Sequence, residues 1–426
     1  MREMKESGID WIGKIPQNWN IIRAKNIFKN HKDIVGDKEN EYERLALTLN
    51  GVLKRPKDDS KGLQSESLST YQILNEKELV FKMIDLANVN TSRVGYSPYT
   101  GIVSPVYIIF NNDKYSKFGY YYFYSMWQRE IFNNLGNDGV RSALNASDMM
   151  NLPFPDISSE EANKIARFLD KKIIEINNVI EKTKETIEDY YKLKQNIITK
   201  AVTKGINDDI NLIDSGKDFI GKTPYNWSVR KIRYYTEFYN GDRTSRYPKP
   251  EELQDEGIAF LSSRELENNY IDITNTKYIS EEKYNSLSGA KLEIGDIVFC
   301  LRGSVGKCSL NNVLDKGTVA SSLMTIRPKK INNMFLLFYL LSDVIKTQTS
   351  IYMNGTCAAN LSAESVGEYY ISIPSIDEQE KIVAYLDKKI VEIDNLISSK
   401  QKIIEDLEQY KKSLIYEYVT GKKEVV

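Results

Sequence analysis

The octapeptide Gly216–Thr223, GKDFIGKT, fits the phosphate-loop pattern G-x-x-x-x-G-K-[ST] at every position. A phosphate loop needs a strand leading into it and a helix opening at the Lys-Thr pair, whose free N–H groups hold the phosphates. Here the polar NLIDS leads in, and Pro224 follows Thr223 and removes a donor. The stretch also has a twin. Residues 7–19 read SGIDWIGKIPQNW and residues 215–227 read SGKDFIGKTPYNW, identical at nine of thirteen positions. In the first copy Ile15 replaces the hydroxyl that would hold magnesium. The match is therefore read as half of a repeat rather than as an ATP site.

Other chemistry is scarce. His31 is the only histidine, so a Ser-His-Asp triad, a Cys-His pair or a His-rich metal site would have to use it. It sits in the polar string KNHKDIVGDKEN, which suggests a solvated surface residue. Cys300, Cys308 and Cys357 show no metal-ligand spacing and fit a reduced, cytoplasmic chain. No G-x-G-x-x-G dinucleotide motif occurs, and no NPPY-like tetrapeptide that would hold a flipped base. The longest apolar run, residues 335–341, is far short of a membrane span, and the opening MREMKESGID lacks a secretory apolar core. A net charge of −1 restricts any nucleic-acid binding to local patches or to an assembly that supplies charge.

The elements that must position any site repeat as well. Residues 165–180 (IARFLDKKIIEINNVI) and 382–397 (IVAYLDKKIVEIDNLI) agree at ten of sixteen positions, offset by 217. Leu169, Ile173, Ile176, Ile180 and Ile187 recur at the alternating three and four spacing of a coiled-coil seam, as do Leu386, Ile390, Ile393, Ile397 and Ile404. Thr183 and Lys400, and Lys194 and Lys411, are polar seam positions. They are read as lysines that snorkel while Leu193 and Tyr410 rotate inward. Equivalent seams in one chain predict an antiparallel pair of helices, each roughly 60 Å long.

The stretches between the helices correspond more loosely. Glu78–Phe81 resembles Asp296–Phe299, and residues 101–110 lie in the same order as 318–327. Aromatic-rich helices are expected over 118–133 and 335–350, with Tyr120–Tyr122 and Tyr124 read as core. The glycine stretches 137–145 and 353–361 follow, then the proline strands LPFP and ISIP. The expected class is α+β. Two α/β globules, residues 1–157 and 208–376, alternate with long helices over 158–207 and 377–426 in a pseudo-twofold repeat.

In this arrangement the chain resembles the specificity subunit (HsdS) of type I restriction–modification systems. The features are the openings DWIGKIPQNW and DFIGKTPYNW, the stretch GDIVFCLRGSVGK, and the IxxxLDKKIxEI helices preceded by IPSIDEQEKI. The first copy departs at SSEEANKI, where Glu161-Ala162 stands for the Glu-Gln pair, which puts local contacts at that helix start in question.

The resemblance implies two target recognition domains, each reading one half of a bipartite, asymmetric site in double-stranded DNA, with the helices as spacer. It implies two modification subunits that use S-adenosylmethionine to methylate adenine N6. Restriction subunits, where present, would bring ATP and Mg; no cofactor or metal is expected in this chain. Readers about one turn apart, roughly 34 Å, would address one face of the duplex. Residue type and loop placement nominate Lys54, Arg55, Lys57, Ser92, Arg93, Tyr96 and Arg141 in the first globule. In the second they nominate Arg243, Thr244, Arg246, Arg264, Arg302, Ser304, Lys307, Asn354 and Thr356. Two other readings fit the residues: a tandem adaptor that binds only proteins, and an NTPase using Gly216–Thr223.

Overall fold

Leu79–Phe81 and Ile297–Cys300 are apolar at every position, as strands covered on both faces must be. Each lies inside a four-stranded antiparallel sheet of a computed structural model that describes residues 2–56, 68–86, 91–135, 143–207, 209–353 and 360–425. The chain divides into two compact units. One comprises Met1–Thr183 with Lys402–Val426, the other Lys184–Gln401. The division falls within the two long helices, Ser159–Lys204 and Ile376–Val419, rather than at their ends.

In the first unit the sheet order is Lys29–His31, Ile108–Asn111, Leu79–Phe81, Val94–Tyr96, with Val80 opposite Ile109 and Gly95. A second sheet orders Gly51–Arg55, Arg44–Thr48, Gly101–Val103 and Gln72–Leu74, with one parallel pairing in its centre. Gly95 has no room for a side chain: a Cβ there would lie 2.6 Å from Leu47 Cδ1. Phe123, on the helix Ser116–Gln128, meets Phe81 and Phe110 edge to face and Phe154 at a tilt, and Phe28 meets Phe154 edge to face. Tyr121 and Tyr122 join this core, and Tyr122 donates to Pro153 O at 2.6 Å.

The second unit repeats the plan. Thr236–Asn240, Leu323–Pro328, Ile297–Cys300 and Cys308–Leu310 form its antiparallel sheet. Lys277–Ile279, Ile258–Leu261 and Gly317–Val319 form the smaller one, again with one parallel pairing. The aromatic-rich helix is here two helices, Asn333–Leu340 and Asp343–Met353, broken where the Asp343 N–H is drawn to Thr199 Oγ1 at 3.0 Å. No helix among the described residues is long and apolar enough to cross a membrane.

Within each unit the long-helix segments run antiparallel. In the first, Phe168 stacks on Tyr418 at 4.5 Å, and Asn177 accepts from Lys411 Nζ at 3.1 Å. In the second, Lys194 Nζ donates to both oxygens of Asp394, at 2.8 and 2.9 Å. Leu169, Ile176, Ile180, Leu386, Ile390, Ile393 and Ile404 are buried; Ile173, Ile187 and Ile397 are half-buried. The expected inward rotation of Leu193 and Tyr410 does not occur, since both are about half exposed. Lys194 and Lys411 keep their seam places and end on polar groups at positions 394 and 177, which are equivalent in the repeat.

The twin openings explain the glycines of GKDFIGKT. Met4–Glu6 pairs with Lys14–Pro16, and Leu212–Asp214 with Lys222–Pro224. Gly8 and Gly13 take φ 74° and 70°, and Gly216 and Gly221 both take 71°, in the left-handed region that favours glycine. Lys222 and Thr223 lie in a strand, Thr223 is buried, and a further strand, Ser228–Lys231, follows. The spacing serves a turn and offers no helix start to a phosphate. Lys222→Ala, at an exposed position, is expected to shift stability by no more than about 0.5 kcal/mol. Urea unfolding checks this, and equilibrium dialysis with ATP is expected to show no difference between parent and variant; binding lost only in the variant would restore the phosphate-loop reading.

Each opening docks on a long-helix start through the same contact. Trp19 Nε1 donates to Glu161 Oε2 at 3.2 Å, and Trp227 Nε1 to Glu378 Oε2 at 3.0 Å. The departure in the first copy thus spares the glutamate. What it removes is the Gln379 bridge, which in the second unit joins the Asn332 N–H to Pro374 O; Ala162 stands there instead, fully buried.

Candidate nucleic-acid interface

In the second unit three of the nominated loops converge. Arg243 follows the strand Thr236–Asn240, and its Nε donates to Ser321 O at 3.3 Å. The neighbouring Ser322 O accepts from the Leu301 N–H at 2.8 Å, which brings the loop after Ile297–Cys300 to the same turn. Arg302, in that loop, forms an isolated bridge with Asn360. At the loop's other end Lys307 Nζ reaches Ser263 O at 2.9 Å and Glu267 Oε1 at 2.6 Å, beside Arg264. Arg243, Thr244, Arg246, Arg264, Arg302 and Ser304 are exposed and Lys307 is half-buried.

Asp242 organises the first of these loops. Its carboxylate is buried and accepts from the Thr244 N–H and Oγ1 at 2.7 and 2.6 Å, and from the Ser288 N–H and Oγ at 2.7 and 3.1 Å. Burial alone would raise its pKa, but these donors outweigh it and hold the carboxyl well below its ordinary value. A depressed carboxylate contributes stability that is present above its unfolded value, about pH 4, and fades as acid protonates the folded group below that. Asp242→Ala strands buried donors and is expected to cost about 1–3 kcal/mol, with its difference from the parent shrinking in strong acid. Urea unfolding at pH 7 and pH 3 checks both; a difference that grows in acid would contradict the assignment.

The first unit is more closed. Lys54 lies over the Tyr99 ring at 5.3 Å, and Arg55 is half-buried at the end of the same strand, close enough to Tyr107 to act on its hydroxyl. Tyr96 packs under Lys117 Nζ at 4.5 Å, and Lys117 pairs with Asp170 at 3.0 Å. Lys57, Arg141, Asn354 and Thr356 lie outside the described residues.

Ser92 and Arg93 are corrected by the structure. Both are buried. Ser92 Oγ turns back to Val94 O at 2.8 Å, and Arg93 Nη2 donates to Asp85 O. Burial pushes the Arg93 guanidinium below its ordinary pKa and, with Arg93 beside it, does the same to Lys82. The sheet register gives the equivalent positions of the two units. Phe81 faces Val94 as Phe299 faces Cys308, so Arg93 corresponds to Lys307 and not to Arg302. Both residues stand just before the return strand and spend donors on a backbone carbonyl. His31 is corrected as well. It is no solvated residue: its Nε2 lies 2.9 Å from the buried Glu78, and its Nδ1 lies 3.1 Å from Asp33.

Sequence reasoning missed Asp242 and Glu364. An acidic residue in a basic loop reads as solvated until its donors are seen, and Glu364 is exposed on the short helix Ala363–Gly367, remote in sequence from Arg243.

Comparison with known proteins agrees with this architecture. The family model for the type I restriction modification DNA specificity domain matches residues 224–409. The type I restriction enzyme MjaVIII specificity subunit of Methanocaldococcus jannaschii is 23% identical over 422 residues, 96% of this chain and 94% of that protein. The EcoBI specificity subunit of Escherichia coli is 22% identical over 300 residues, 67% of this chain and 61% of that one. Two solved structures share the fold at 14% identity. A chain from work on assembly and conformational transition of the type I R-M system has a TM-score of 0.72, covering 96% of this chain and 99% of that one. The HsdS subunit from Thermoanaerobacter tengcongensis has a TM-score of 0.54, covering 98% and 100%. With one repeated α+β plan in both units and antiparallel long helices, the chain is similar along nearly its whole length to the specificity subunits of type I restriction–modification systems, and residues 224–409 match that family's DNA specificity domain.

Proposed function

We propose that the chain is a non-catalytic reader of a bipartite, asymmetric DNA site, with one half addressed by each unit and the long helices as spacer. It positions two adenine-N6 methyltransferase subunits and, where present, restriction subunits. S-adenosylmethionine, ATP and Mg belong to those partners in this reading. The observation that carries it is the repetition of one scaffold with different loops, which suits two readers of different sequence. Its net charge of −1 fits a subunit whose partners supply much of the phosphate contact. The exposed arginines of the second unit are suited to base edges, and Asp242 preorganises one of their loops.

Co-expression with the cognate modification subunit in a host lacking adenine methylation, followed by sequencing for N6-methyladenine, tests this. The expected result is a split motif with a fixed gap that vanishes when this chain is omitted. A soluble, assembled complex that neither methylates nor retains specific DNA would favour a protein adaptor.

A further inference from the structure

One position is built identically in the two units and filled by opposite chemistry. Two residues past the equivalent Phe81 and Phe299, Met83 O accepts from the Leu144 N–H at 3.0 Å, and Leu301 O accepts from the Leu361 N–H at 3.0 Å. The next residues, Ile84 and Arg302, form isolated antiparallel bridges with Ala143 and Asn360. Ala143 and Asn360 are themselves equivalent in the 217-residue repeat. Each stands just before a short helix, Ala146–Met150 or Ala363–Gly367, capped by Asn145 or Ser362. Each of those hydrogen bonds is part of its bridge, so the backbone at 84 and 302 is held in the same way. Both side chains are exposed, Ile84 by 39%.

A rigid backbone presenting an exposed side chain of variable kind is what base reading requires. In the major groove, arginine matches guanine because its planar fork meets both O6 and N7; an apolar side chain meets the thymine 5-methyl group. Glu364 is exposed on the same segment as Asn360, the bridge partner of Arg302, four residues further on. A carboxylate on that segment repels phosphate, whereas it can accept from the N4 amino group of the cytosine paired with guanine.

Resting on the DNA-reading function proposed above, we infer that Arg302 and Ile84 are the equivalent specificity-determining residues of the two half-sites. Arg302 reads a guanine in one, and Ile84 the methyl group of a thymine in the other.

The test is a methylation map of the assembled complex with the parent chain, Arg302→Ala, Arg302→Lys, Ile84→Ala and Ile84→Val. Arg302→Ala is expected to lose about 5- to 150-fold of the preference for one G·C pair in one half-site, leaving the other half unchanged. Ile84→Ala is expected to relax one T·A pair in the opposite half, by less. Arg302→Lys and Ile84→Val keep charge or branching, so they report even if an alanine variant fails to assemble. The parent map tests the inference without any variant, because one half must contain a G·C pair and the other a T·A pair besides the one that carries the methylated adenine. Their absence overturns the inference, as does uniformly weaker methylation with an unaltered motif in Arg302→Ala, the signature of a phosphate contact. A parent complex with no split motif would instead sink the DNA-reading function itself.

Discussion

Arg327→Ala is expected to destabilise the second unit by about 3–5 kcal/mol. Asp296, 1% exposed at the entry to the central strand, accepts from Arg327 Nε and Nη2, both at 2.8 Å. The same guanidinium reaches Glu293 Oε1 at 2.6 Å and Lys291 O at 2.9 Å. These contacts hold the Arg327 pKa above even its ordinary high value, the hydrogen bonds to Asp296 first among the causes. Removing the arginine leaves a carboxylate in the interior with one remaining donor among these, the Glu293 N–H at 2.8 Å. Arg327→Lys restores the charge but not the two-pronged geometry and should recover only part of the loss. The two units need not unfold together, so hydrogen exchange read peptide by peptide across urea is the measurement to use. A loss below about 1 kcal/mol in peptides of residues 184–401 would show that the pair is not the anchor described here.

Phe81→Ala is expected to cost the first unit a similar amount, about 3–5 kcal/mol. Its ring is fully buried and meets Phe110 at 4.9 Å and Phe123 at 5.2 Å, edge to face in both cases. The surrounding rings are held by two sheet strands and the helix Ser116–Gln128, so the cavity has little means of collapse. Faster exchange should appear in peptides of residues 2–183. Loss of protection confined to residues 184–401 would contradict the placement. With the methylation map, the pair of variants asks whether failure of one unit erases one half of a motif.

How much of this was readable beforehand depended on how local the cause was. The apolar ELVF and DIVF runs, the seam of the long helices and the tyrosines of the first aromatic helix are periodic signals, and they lie in the expected elements. Contacts set by distant partners were not readable. His31 sits in a polar string, yet its edge strand pairs with Ile108–Asn111, which places it against a glutamate 47 residues away. Ser92 and Arg93 look like loop residues beside a glycine, and only the pairing of Phe81 with Val94 reveals them as the covered foot of a strand. Arg302 was nominated for its type, but its partner position, Ile84, carries no charge and could be found only through the matching bridges.

The break between the units within the long helices has a consequence for the order of events on the ribosome. The second unit is one unbroken stretch, residues 184–401, and can close as soon as that stretch has emerged. The first unit, although synthesised earlier, is completed by residues 402–426: Lys422 Nζ ties to Ile12 O and Lys14 O at 2.6 and 2.9 Å, and Tyr416 OH to Ile12 O at 2.9 Å. At about 5–20 residues per second, the start of the chain waits on the order of 20–80 seconds for those partners. During that interval Phe168 and Ile176, which will face the returning helix, have nothing from residues 402–426 to cover them. The unit whose synthesis begins first is thus the last to receive all of its residues.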